Sequence, residues 1–488
     1  MQTLIRNTMK RTTKTALAAT TAALAAFICQ PTAQAQTADS LIDKLVEKGV
    51  LSVKEGQALR EESDKDFTRA YQAKSGLPDW VTALRIGGDV RLRYDGVYMD
   101  PDNGGPVSVD RNRLRHRTRL GVTATLQDDF EVGIRLTSSE NKSSGMTPQG
   151  DPISGNDTFT NNGSKKLLWI DLAYAKWQFL NQPDWSATFI GGKMENPFVF
   201  SEVVFDSDYT PEGGAVQVAY NLNDQQSLKF NGGFFSLVES SGSSKDSFLF
   251  GTQVRLDSVW NPHVSTSFGV SALGLTDKQN LTHVGPVTTA VGAAVSTANP
   301  NVPDVSRGNT RVSSTGALTS SFNPIVVDGS LTYTKESFPM YPGAFPIKFM
   351  VDYVNNLSVS PNLATSPIGA GKKRGEAYSV GMTLGKSGKK GTWDLTYKWK
   401  HLESNYWFEE VVDSDHGGWY QTSPFTGGGG TGYGAGTNIR GHYMRAAYSP
   451  YDSLTLSVNY YLFNLIDKPV GALSSTAGRI QVDAAFKF

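Results

Sequence analysis

The sequence predicts an all-β chain. About sixteen antiparallel strands, with eighteen as the alternative count, would close into a transmembrane barrel behind a short N-terminal periplasmic helical segment. Three observations carry this. From Thr82 onward apolar and polar residues alternate with period two, giving each strand one greasy and one wet face. The connections alternate between short turns and long loops rich in Gly, Ser, Thr and Asn. Aromatic residues collect beside the short turns, where a membrane interface would hold them.

Composition agrees. The 488 residues include 49 Gly, 19 Tyr and 24 Phe, and only 19% are charged. Beyond the N-terminal region, no apolar run approaches the roughly 18 residues that a spanning helix needs. Lys+Arg and Asp+Glu are both 46. The first 35 residues carry Arg6, Lys10, Arg11 and Lys14 and no acid, so the remainder is −4. That balance excludes a nucleic-acid binder. The one cysteine, Cys29, lies in the expected leader, which leaves no disulfide or cysteine-metal site after cleavage.

Residues 1–35 read as a secretory signal. A basic start precedes the Ala-rich run from Thr15 to Ile28, and Ala33-Gln34-Ala35 fits the cleavage site. A membrane anchor is the competing reading, and the run is short for one. Residues 36–79 form the helical segment. Leu41, Ile42, Leu45 and Val46 make a stripe that ends at Gly49. Ser52 and Glu55 then make a capping box for a second helix to about Tyr71. A helical hairpin is the plain expectation, and a coiled-coil or cell-wall-binding element the sharper one.

The barrel is expected over 80–488. Strands are placed near 83–94, 113–126, 130–138, 166–179, 185–194, 214–221, 226–237, 246–260, 264–275, 329–337, 345–356, 376–386, 391–403, 438–449, 453–464 and at the C-terminus. Long loops at 140–164, 276–325, 357–374 and 404–437 would be outside. With both termini periplasmic the count must be even. The long loop after 345–356 then allows one inward strand between 275 and 345, which makes sixteen. Trp80, Phe130, Phe179, Trp185, Trp260, Trp393 and Phe488 fall at the periplasmic ends.

In the last ten residues Ile480, Val482, Ala484, Phe486 and Phe488 share one face. This resembles the terminal strand of bacterial outer-membrane barrels, in which the final aromatic is the assembly signal; Phe486 and Phe488 would fill that role. The stretches EKGVLSVKEGQAL, RLRY, RNRLRHRTRLG, GKMENPF, DSDYTPEG, FPIKFMVDYVNN and TWDLTYKWKHLE occur in this order. Together they resemble the putative porin family of Gram-negative outer membranes. The resemblance implies an outer-membrane porin for passive diffusion of small hydrophilic solutes. Its partners would be outer-membrane lipid, the β-barrel assembly machinery and, by analogy with general porins, two further copies in a homotrimer. It names no solute.

Arg113, Arg115, Arg117 and Arg119 share one strand face. A charge at the bilayer midplane costs about 2–4 kcal/mol, so this face must line the lumen. Arg85, Arg91 and Arg93 on the preceding strand face the same way, and Arg135 is placed with them. Such a wall would attract anions unless neighbouring carboxylates neutralise it. The segment Glu195–Glu212 follows the fifth strand, where general porins fold a loop into the channel. Glu195, Glu202, Asp206, Asp208 and Glu212 would then face the arginines, with Phe198, Phe200 and Phe205 packing the loop to the wall. The competing reading leaves those acids in water. No calcium-loop spacing is present.

The six His are scattered and make no HExxH, and the Gly427–Gly430 run lacks the frame of a phosphate cradle. No metal or cofactor is expected. A barrel enzyme of protease or phospholipase type would need a cluster such as His401 or His442 with Ser404 and Asp413. A soluble secreted β-protein would need neither the final Phe nor one-ended aromatics.

Overall fold

A computed structural model of the chain describes residues 76–99, 110–141, 150–239, 246–281, 287–288, 294–295, 307–311, 317–362, 369–416, 418–419, 433–434, 436–468 and 476–488. The leader expected at 1–35 and the helices expected over 39–72 lie outside these residues. The chain divides into Met1–Thr82 and Ala83–Phe488, and the second unit carries the barrel.

The first strands are β1 (Val81–Met99), β2 (Arg111–Leu126), β3 (Phe130–Ser138), β4 (Leu168–Asn181), β5 (Trp185–Lys193) and β6 (Glu212–Asn223). Next come β7 (Gln226–Val238), β8 (Ser247–Asn261), β9 (Val264–Leu275), β10 (Pro324–Lys335) and β11 (Phe345–Asn356). The set ends with β12 (Glu376–Gly385), β13 (Trp393–Leu402), β14 (Ile439–Tyr451), β15 (Leu454–Leu465) and β16 (Thr476–Lys487). Each pairs antiparallel with its sequence neighbour, as β9 does with β10 from Val264↔Tyr333 to Ala272↔Ile325. The strand expected at 329–337 therefore begins five residues earlier, at Pro324. Among the described residues, 307–323 adds only the bridge Arg311↔Leu318, so the count is sixteen.

Closure comes from β16 pairing with β1, from Asp89↔Lys487 to Met99↔Ala477. The Phe488 N–H donates to Gly88 O at 3.1 Å and Phe488 O accepts from the Gly88 N–H at 3.0 Å. Pairing the last strand with the first removes both sheet edges, which hydrocarbon would otherwise leave unsatisfied. The other turns are tight where the sequence permits it. Between β2 and β3, Asp128 and Asp129 both hold φ near +60°, the conformation that short primed hairpin turns require.

Outward positions are apolar and bare. Ile86, Leu114, Ile134 and Ile170 are 58%, 55%, 55% and 61% exposed. Rows of this kind on every strand form a band that a soluble protein would bury and a bilayer covers. At the short-turn end Phe130 stacks on Trp177, Trp185 stacks on Tyr220, and Trp393 meets Phe338, Tyr341 and Phe345.

Candidate functional site: the channel interior

Two long loops enter the barrel, and 150–156 joins them on the channel lining, which corrects the expectation that 140–164 is an outside loop. The first, 194–211, follows β5. Gln253 on β8 clamps it with a reciprocal pair: its amide oxygen accepts from the Val199 N–H and its amide nitrogen donates to Val199 O, each at 2.9 Å. Arg255 adds a bond to Val199 O at 3.1 Å, and the Gln217 amide reaches Pro197 O at 2.8 Å. The loop thus crosses from the β8 wall to β13, where Glu202 accepts from Lys398 and Lys400, each at 2.8 Å.

The second is 403–416, and it corrects the expectation that 404–437 is an outside loop. Tyr406, Trp407 and Phe408 are fully buried. The Tyr406 hydroxyl donates to Val203 O at 2.7 Å, and the Asp206 N–H donates to Val411 O at 2.8 Å. Phe205 meets Trp407 edge-on. Both loops pack on inward-facing apolar residues, among them Phe235, Leu249, Val326, Val354 and Leu402. Burial of these side chains in a lumen that is otherwise polar drives the loops inward. A third segment braces them: Arg311 pairs with Glu409, both side chains 1% exposed, and Glu409 also accepts from the N–H groups of Arg307 and Asn309.

The apolar plug fills the β7–β13 side. The open space, about 1100 Å³, lies along β11–β16, β1 and β2. The arginines stand there, and most are paired. Arg113 binds Asp95, with the Asp95 carboxylate fully buried and also held by Arg479 from β16 at 2.7 Å. Arg93 holds Asp483 through two bonds of 2.7 and 2.8 Å. Arg115 lies 3.2 Å from Glu140 and 3.8 Å from Asp95. Arg117 and Arg119 share Asp89 and Asp208. The Arg and Asp pairs on β16, β1 and β2 therefore stitch the closing seam as well as coating the channel.

The expected picture of one acidic loop facing one arginine wall needs correction. Only Asp208 of the named acids reaches the row. Glu202 crosses to the lysines of β13. Glu195 pairs with Arg135, and Glu212 with Lys193, both carboxylates more than 60% exposed. Arg85 is exposed and does not border the open space. Asp206 is enclosed beside the second loop, and burial and then Asp413 push its carboxyl well above the usual range. Burial and then Asp415 push Asp413 up to about 6. Glu202 goes the other way: burial would raise it, but Lys398 and Lys400 hold it well below the ordinary value. Asp415, facing Arg479 and Arg93, is likewise lowered against burial. Asp415 had no place in the sequence reading, and Asp413 entered it only as part of a candidate enzyme cluster. The available signal was Tyr406-Trp407-Phe408, too apolar a run for an exposed loop.

His401 stacks on Tyr378, and the Tyr397 hydroxyl lies 2.9 Å from His442 Nδ1. Among the described residues no cluster of His, Cys, Asp or Glu has the arrangement of a metal site.

A closed sixteen-stranded barrel with an apolar exterior, inward loops and a charged open interior is a membrane channel protein. A family model described as Putative porin matches residues 105–488, and the chain belongs to that family of outer-membrane channels. No curated protein matches. Among solved structures, Pseudomonas putida OprB at high pH is 12% identical with a TM-score of 0.47, covering 87% of this chain and 97% of that one. Salmonella typhi OmpF in complex with daunomycin is 10% identical, TM-score 0.42, covering 83% and 97%. The outer membrane channel DcaP of Acinetobacter baumannii is 13% identical, TM-score 0.40, covering 83% and 97%.

Proposed function

We propose that the chain is a passive-diffusion porin for small hydrophilic solutes with a preference for anions. The observation that carries the preference is the charge of the channel lining. Among the described residues, thirteen Lys and Arg border the open space against nine Asp and Glu. Counting Asp89, Asp95 and Arg119 with them leaves an excess of three. Two of the nine acids, Asp206 and Asp413, are pushed upward by burial and by neighbouring carboxylates. In a narrow low-dielectric passage such an excess concentrates anions. Diffusive flux needs weak binding, and the pairing of most arginines keeps the wall from trapping solute.

The same reading places the chain in the outer membrane after removal of 1–35, with 36–79 periplasmic, Phe486 and Phe488 read by the assembly machinery, and a homotrimer in the lipid. Reversal potentials across a KCl gradient test the selectivity. Wild type should favour chloride. Arg115→Ser with Arg117→Ser should move the potential toward cations, more at low salt, where screening is weaker. A cation-selective wild type would refute the reading.

A further inference from the structure

Arg91 differs from its neighbours. It projects from β1 into the open space and has no carboxylate partner among the described residues. Its one side-chain bond runs from Nη2 to the neutral Asn156 Oδ1, at 2.7 Å. Arginine cannot deprotonate to relieve this, and an enclosed charge with no counter-charge is costly. Arg93 and Arg117 flank it with charge of the same sign, and the two carboxylates that also act on it, Asp483 and Asp208, are bonded to those arginines instead.

Its surroundings are organised. Arg115 donates to Asn156 O at 3.3 Å, so one residue of the 150–158 segment holds two guanidinium groups. Gly155 lies on the Arg117 side chain so closely that an added Cβ would be 3.0 Å from Arg117 Cδ. The Nε atoms of Arg91, Arg115 and Arg117 are all buried and meet no protein acceptor. Arg115 itself is only 6% exposed. All three residues and Asn156 border the same open space.

We infer that Arg91, Arg115 and Arg117 form an oxyanion subsite within the channel, where a solute carrying a phosphate or carboxylate group pauses between the two mouths. A planar guanidinium presents Nε–H and Nη–H as a fork that matches an oxyanion's oxygens, which a chloride ion cannot exploit. The negative group would supply the bonded counter-charge that Arg91 lacks. The inference rests on the porin reading and adds saturable recognition to it.

The full-length protein in planar bilayers, at fixed KCl, pH and ionic strength, is titrated with inorganic phosphate and, in a second arm, with acetate. Phosphate should lower the chloride current along a saturating curve; the arm with the lower half-blocking concentration identifies the preferred headgroup. Arg91→Gln should raise that concentration about tenfold or more, because a charge-assisted bond is lost. It should still assemble, since no carboxylate is left without a partner. Asn156→Ala, in a loop rather than a strand, should weaken block in the same direction by releasing Arg91, while the Arg115 bond to the main-chain carbonyl stays. Current that varies linearly with both anions, or equal block in wild type and both variants, overturns the subsite. The KCl reversal potential is read from the same membranes: chloride preference without saturable block sinks the subsite alone, and cation preference sinks the porin selectivity beneath it.

Discussion

Glu202→Gln should unlatch the tip of the 194–211 loop. The Glu202 carboxylate accepts from Lys398 and Lys400, each at 2.8 Å, and the Lys400 side chain is 1% exposed. The amide leaves two enclosed ammonium groups without a negative partner. Removing one member of a buried pair costs about 3–5 kcal/mol, and the 24% exposure of Glu202 places this one near ~3. That is a shift of about 150-fold in the docked-to-undocked ratio. The change should stay local, because the Gln253 clamp on Val199 and the Tyr406 bond to Val203 remain. Single-channel recording should show a larger, noisier conductance with the heat-modifiable barrel intact. The pH dependence has a defined sign. The folded carboxyl titrates well below its ordinary value, so its contribution is present above that value and is lost only as pH falls through the lowered one. Wild type at pH 5 should therefore keep the latch. Wild-type conductance, noise and protease resistance in Glu202→Gln would refute this account of how the loop is held.

Glu409→Ala should free the 307–311 segment at a local cost of about 3–5 kcal/mol, read as new protease cleavage there, because Arg311 and the N–H groups of Arg307 and Asn309 all lose this acceptor. Asp413 and Asp206 have raised folded values, so the loop junction they share is strongest in acid and loses stability as pH rises through about 6 for Asp413. Lowering pH from 7.5 to 5 should increase chloride preference in the reversal potential, and Asp413→Asn should flatten that change. At Gly88 an added Cβ would lie 2.2 Å from Arg119 O on β2 and 2.8 Å from the Phe488 ring, so Gly88→Val should push β1 off β2 and abolish the heat-modifiable form. Deleting Phe488 should lower its yield as well, by removing the reciprocal bonds to Gly88.

The barrel was legible because lipid enforces period two on every strand and forbids open edges. Parity and loop length then favoured sixteen over eighteen without any knowledge of pairing. The start of β10 was missed because Ile325, Val326 and Val327 are a continuous apolar run. Val326 faces the plug rather than water, so the alternation fails there. The inward course of 403–416 was hidden for the same reason. Its apolar partners, such as Phe235, Leu249 and Val354, lie on strands distant in sequence, and nothing local marks them. Partner choice among the charges was equally unreadable, since Arg93 and Asp483 are 390 residues apart and meet only when the seam closes.

The inward apolar residues of β7–β13 and the charged seam of β16, β1 and β2 explain one another. A barrel of sixteen strands encloses more space than side chains alone can fill. The plug occupies one side, where Trp407, Phe205 and Phe322 exclude water, and so confines the open passage to the other. There the walls are close enough for Asp415, from the second loop, to reach Arg93 at 3.4 Å and Arg479 at 3.0 Å. Those contacts draw carboxylates onto most of the basic row, so the wall's formal charge overstates its field. What a passing solute meets is the remainder: the lysines at the short-turn end, and Arg91, the one enclosed guanidinium of the row that no carboxylate among the described residues neutralises. Selectivity should therefore respond more steeply to Arg91 than to Arg113, whose charge Asp95 already holds at 2.7 Å. Equal shifts of reversal potential in Arg91→Gln and Arg113→Gln would mean that the channel averages its charges rather than exposing one.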